Sequence, residues 1–204
     1  MQKIDFKKTL KPLYAPKPGD FHPVDVPPMR FLQVEGHGNP NTVPAYGLAV
    51  EALYATSYAL KFASKFELGQ DYVVPPLEGL WWAADPAAFT QRRKDAWHWI
   101  MMIMVPDFVE AALVDDAMQK AEARINGLPE SLKLADLDEG QCLQKLHIGS
   151  YDDEAPALEH LHDKLMPAQG LAFNGPHHEI YLSDPRRVAP AKLKTILRQP
   201  VRPV

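Results

Sequence analysis

PHHEIYLSDP, residues 176–185, reads as a short strand, because apolar and polar residues alternate and an Asp-Pro turn closes it. Alternation puts His178, Ile180 and Leu182 on one face of that strand. His177, Glu179, Tyr181 and Ser183 fall on the other. An earlier stretch, LWWAADP at 80–86, ends in the same Asp-Pro pair. Aligning the two turns sets Leu80 against Glu179 and Trp82 against Tyr181, and a duplication explains the echo economically.

Worked outward from those two stretches, the chain reads as one unit used twice. MRFLQVEG (29–36) alternates as a strand, and PAYGLAVEALYATSYALKFASKF (44–66) repeats Leu48, Leu53, Tyr54, Tyr58 and Phe62 at helical spacing. A strand interrupted at Pro75-Pro76 follows over 71–85, and KDAWHWIMMIMVP (94–106) is too apolar for anything but a central strand. A linking helix is predicted over 106–127, from Pro106 to the Asn126-Gly127 stop. A strand (140–151), an acid-started helix (152–170) and two strands (176–185 and 192–201) then repeat the order. The expected fold is α+β, with duplicated strand–helix–strand–strand halves and antiparallel sheets around a central cleft. Its boundaries are a proline-rich extension at 1–28, lying on the surface, and one domain at 29–204. The halves are 29–105 and 140–204. Equivalent strands would face each other across the cleft, with Trp82 and Tyr181 on opposing walls and Glu179 between them.

Composition narrows the function. The chain has 204 residues, 46% of them hydrophobic, enough for a substantial core. A net charge of −4 and the lack of a basic recognition helix argue against direct nucleic-acid binding. Cys142 is the single cysteine, set among leucines, which fits a buried thiol in a reducing cytosol. The first fourteen residues lack the apolar core of a signal peptide, and the most apolar run, 96–106, is too short to span a bilayer. A cytoplasmic protein is expected, with no membrane partner. The sequence leaves its oligomeric state open, a homodimer included.

Glu179 has two readings: an edge-strand carboxylate in water or paired with Arg186 or Arg187, and an acid in an apolar cleft serving as cation site or general acid–base. Trp81, Trp82, Trp97 and Trp99 fall within nineteen residues. Core packing is the ordinary fate of such indoles. Yet Trp97 and Trp99 share a strand face with Met101 and Ile103, while Trp81 and Trp82 point opposite ways, so one indole of each pair is expected at any cleft. His147, His160, His162, His177 and His178 lack the spacing of a metal set, and a lone cysteine excludes a thiolate-rich zinc site, so no metal or cofactor is expected. Neither a dinucleotide fingerprint nor a nucleophile elbow occurs.

PPLEGLWWA (75–83), RFLQVEGHGNPN (30–41), LHIGSYDDE (146–154) and HHEIYLSDP (177–185) together resemble the GyrI-like small-molecule-binding family. The resemblance covers nearly the whole chain, including the lead-in of stand-alone members. It implies the duplicated effector-binding (SOUL-type) fold and makes Glu179 the central pocket carboxylate, with LWW and HHEIY as aromatic walls. Some stand-alone members are similar to enzymes that hydrolyse strained, electrophilic cyclopropane-bearing toxins. On that reading Glu179 deprotonates water and Tyr181 donates to the developing oxyanion, while Trp81, Trp82, Trp97, Trp99, Met101 and His177 bind an aromatic or amphipathic ligand. The competing reading is a ligand-sequestering or gyrase-inhibitor-like module without turnover.

Overall fold

The computed structural model describes residues 3–85, 93–125 and 127–204. Pro86 of the Asp-Pro echo and Asn126 of the predicted helix stop lie outside the described residues.

Two apolar stretches pair at the centre of a single antiparallel sheet. β3 (Leu77–Trp82) runs beside β8 (His177–Tyr181), with Gly79 opposite Glu179. β4 (His98–Val105) flanks β3, and β2 (Met29–His37) flanks β4. On the other side β9 (Lys194–Pro203) flanks β8, and β6 (Gly140–Ile148) flanks β9. The edges are β5 (Lys133–Leu137) on β2 and β1 (His22–Val26) on β6, while β7 (Leu171–Phe173) pairs with the far end of β9. The order β1-β6-β9-β8-β3-β4-β2-β5 is a palindrome of equivalents. Setting Gly79 on Glu179 carries Met101 onto Leu197, Val34 onto Lys145 and Ala135 onto Val24 through every ladder. The duplication is therefore written into the hydrogen-bond register.

That register corrects three expectations. First, the equivalent strands β3 and β8 pair edge to edge instead of facing each other, because joining them satisfies backbone groups that two separate edges would leave open. Second, the twofold mate of Tyr181 is Trp81, not Trp82. The Asp-Pro turns used for the alignment are one residue out of phase with the ladder. Third, residues 22–26 are not a surface lead-in. They form β1, the counterpart of β5, and each of these strands precedes one half in sequence but pairs with the other. Pro23 is tolerated there because β1 is an edge strand and lacks a neighbour on one side.

The two faces of the sheet are covered differently. α3 (Pro44–Glu67) and a helical run over 155–168 lie on the face bearing Glu179; α4 (Ala111–Ile125) packs against α3. Of the five residues repeated at helical spacing, α3 buries Leu53 and half-buries Tyr54 but leaves Leu48, Tyr58 and Phe62 exposed; the rest of its buried face is Ala49, Ala52, Ala59, Leu60 and Ala63. Small side chains let the helix fit closely between the sheet and α4, which the larger rings would prevent. α4 starts at Ala111, not at Pro106, because the 106–109 turn presents three carbonyls to Arg30, whose Nη2 donates to Pro106, Asp107 and Val109. The opposite face is covered by α1 (Phe6–Thr9) and α2 (Lys11–Tyr14), with Leu13 and Tyr14 buried against Val26, Cys142, Ile180 and Ile196. Among the described residues, no helix is long and apolar enough to cross a membrane.

Candidate functional site

Strand alternation brings His177, Glu179 and Tyr181 to the helix-bearing face, and the ladder adds Trp81 opposite His177 and Leu77 opposite Tyr181. Tyr181 donates its hydroxyl proton to Glu179 Oε2 at 2.8 Å, and Trp81 Nε1 donates to the Tyr181 oxygen at 3.0 Å. This chain fixes one carboxylate oxygen of Glu179. The other, Oε1, lies 3.5 Å from His177 Nε2. Glu179 keeps 15% of its side chain exposed, whereas Glu78 and Glu139 on the opposite face are sealed. Arg186 and Arg187 pair with Asp184, at 3.0 and 3.8 Å, and leave Glu179 to the aromatic site.

Rings surround the acid. Trp97 meets Trp81 edge-on with centroids 5.8 Å apart, Tyr46 from the start of α3 lies 6.1 Å from Trp81, and Tyr151 meets Tyr181 edge-on at 5.7 Å. Burial, followed by the charge of Glu179, raises the phenols of Tyr181 and Tyr46 well above their ordinary value. The same two causes push Tyr151 up to about 12. All three are therefore hydrogen-bond donors at neutral pH. Trp99 and Met101 share this face but are fully buried, and Trp99 is locked into the space left by Gly36, so both form the floor beneath the site. Trp82 is on the other face, stacked on His98 at 5.5 Å and away from Glu179. Its expected place belongs to Trp81.

Sequence reasoning missed Tyr46, Tyr151 and Gly79. The first two arrive from the start of α3 and the turn after β6, where no periodicity marks them. Gly79 did carry a signal, since a glycine inside a strand often marks close approach. A Cβ there would stand 2.8 Å from Trp81 Nε1 and 3.1 Å from Met101 Sδ. Gly79→Ala should displace the indole and break its bond to Tyr181, at a cost of about 1–3 kcal/mol. Urea unfolding and tryptophan emission check this together: unchanged emission with full stability would show that the indole does not need the glycine.

Two surface hollows lie elsewhere, one of about 200 Å³ between α3 and α4 and one of about 350 Å³ along β1 and β6. Neither combines a partly sheltered acid with convergent rings, and in the first Lys120 is paired with Glu67. The partly sheltered acid with converging rings is at Glu179.

The GyrI-like small molecule binding domain matches residues 20–202. An uncharacterized conserved protein from Listeria innocua is 39% identical over 98% of this chain and 100% of its own, with a TM-score of 0.88. A hydrolase from the same organism is 38% identical with the same coverage and a TM-score of 0.86. The EcmrR C-terminal domain, at 12% identity, 91% of this chain, 98% of its own and a TM-score of 0.57, shares the fold alone. No curated protein matches the chain. Matched along nearly all its length, the chain belongs to the GyrI-like small-molecule-binding family.

Proposed function

We propose that this protein hydrolyses a reactive, apolar xenobiotic in the cytoplasm, with Glu179 as general base and a strained electrophilic ring as the group attacked. The observation that carries the reading is the divided carboxylate: Oε2 is held by Tyr181, while Oε1 is left for a water. A base must be both positioned and within reach of the proton it takes. Two relatives at 37% and 38% identity are hydrolases, which favours turnover over simple sequestration. Trp81, Trp97 and Tyr46 would hold a flat apolar ligand by ring contact.

The role expected for Tyr181 changes in this reading. Its single proton is given to Glu179, so none remains for an oxyanion. Tyr181 is a positioning residue, and the protonated phenols of Tyr46 and Tyr151 are the donors left around the acid. The test is a time course with an aryl-conjugated cyclopropyl ketone at substoichiometric protein. Consumption beyond one equivalent is the expected result. A stop at one equivalent, or binding without consumption, would make this a sequestering protein instead.

A further inference from the structure

His177 is 7% exposed, and neither of its ring nitrogens has a hydrogen-bond partner among the described residues. Buried polar groups nearly always have one, and leaving such a group unsatisfied is costly. An imidazole held in this state, beside a carboxylate, marks a place where a polar group of a ligand belongs. The geometry says which part of the ligand. His177 Nε2 and Glu179 Oε1 are 3.5 Å apart, too far for a good direct bond but close enough to serve one hydroxyl between them. Oε1 is also the oxygen that Tyr181 leaves unclaimed.

The neighbours of His177 are compatible with proton transfer. Trp81 lies opposite it in the ladder and carries no charge. Tyr181 is a neutral phenol. From the helical run, His162 is held down at about 4 by burial and then by His177, so it too is neutral at pH 7. Glu179 is the carboxylate beside His177, and it is the proposed base.

We propose that His177 is the second proton-handling residue of the site, carrying the proton that Glu179 removes from water to the acceptor group of the opening ring. This rests on the hydrolytic reading above. In the step, an O–H bond of water breaks and its proton goes to Glu179 Oε1 as the new C–O bond forms at the ring carbon. The strained C–C bond breaks, and its electron pair passes onto the conjugated acceptor. His177, entering the step as the imidazolium, gives that acceptor a proton from Nε2, becomes neutral, and is recharged by the proton on Glu179, which returns to the carboxylate. The balance is the addition of one water across one C–C bond.

The experiment uses the full chain, the same cyclopropyl ketone and His177→Ala, with His177→Gln as a variant that keeps polarity. Both should lose kcat by roughly a hundredfold with KM little changed, the usual worth of positioned acid–base catalysis. Added imidazole should restore about a tenth of the activity to His177→Ala and none to wild type, as expected where a ring-shaped space opens beside a general base. Wild-type kcat, a loss confined to KM, or a loss that imidazole does not reverse would each overturn the proposal. One readout is independent of turnover. In protein carrying nitrogen-15 histidine, the Nε2 signal of His177 should move on Glu179→Gln. If that signal is blind to the substitution, the pair is not coupled and the proposal fails, whether or not any electrophile is consumed. Absence of turnover by wild type with a coupled signal would instead defeat the hydrolytic reading alone.

Discussion

If the proposed hydrolysis runs through Glu179, Glu179→Gln should abolish most of it while leaving the protein folded and able to bind. Glutamine keeps the shape of the side chain, and its amide oxygen can still accept from Tyr181 at Oε2. What it loses is basicity at the other position, next to His177. A positioned general base contributes about 10²–10⁴ in rate, so turnover should fall by roughly a hundredfold or more. Affinity for a neutral aromatic ligand should change far less, because contact with Trp81, Trp97 and Tyr46 does not use the charge. The melting temperature should hold or rise slightly, since a sheltered carboxylate is costly to keep. Turnover, ligand titration and thermal melting on the same preparation separate the outcomes. Wild-type turnover would take Glu179 out of the mechanism, and collapse of the fold would make it a structural residue.

Strand alternation by itself makes the acid legible in the sequence. A period of two is local, so five residues are enough to place His177, Glu179 and Tyr181 together and His178 apart. The centrality of β4 is equally visible, since a run as apolar as WIMMIMV needs a neighbour on both sides, and it has β3 and β2. The one-residue error at Trp82 has a different origin. Which residue of β3 meets Glu179 is decided by a ladder between strands about a hundred residues apart, and turn chemistry at the strand ends says nothing of it. The exchange of β1 and β5 between halves is hidden for the same reason. Tyr46 and Tyr151 are illegible because they reach the site from a helix start and a turn, whose direction is set by packing. On α3 the pattern itself misleads: aromatic spacing suggests the buried face, but the closeness of the sheet and α4 selects the small residues.

The largest effect on stability should come from the other side of the same strand pair. His178 is fully buried between two carboxylates, with Nδ1 2.9 Å from Glu139 Oε1 and Nε2 2.9 Å from Glu78 Oε2. Both ring nitrogens can donate only in the imidazolium, so the geometry requires a charged histidine. Burial alone would lower its pKa, but the charge and hydrogen bond of Glu139, with those of Glu78, raise it to about 9. Burial would likewise raise Glu139. His178 and Arg198, the latter at 3.2 Å, overcome this and bring it to about 2. The network reaches the N-terminal segment through Tyr14 to Glu78, and through Arg198 and Gln144 to the carbonyls of Leu13 and Pro12. It also guards the register of β3 on β8, because a one-residue slip would carry His178 among the rings around Glu179 and Glu179 into the packed face. His178→Leu would leave Glu78 and Glu139 buried with Arg198 as the remaining cation of the cluster. Removing one partner from a buried ion pair typically costs about 3–5 kcal/mol, and that loss is expected in urea unfolding at pH 6. Wild type should in addition show a plateau with two flanks. A histidine raised on folding contributes fully below its ordinary 6.5, and that contribution is lost as pH climbs to about 9. A carboxylate lowered on folding contributes fully above its ordinary 4.5, and that contribution is lost as pH falls to about 2. Stability should thus be highest between those ordinary values, and His178→Leu should flatten the alkaline flank in particular. A variant that loses less than about 1 kcal/mol, or keeps the wild-type decline from pH 7 to 9, would show that His178 is not the charged centre of this network.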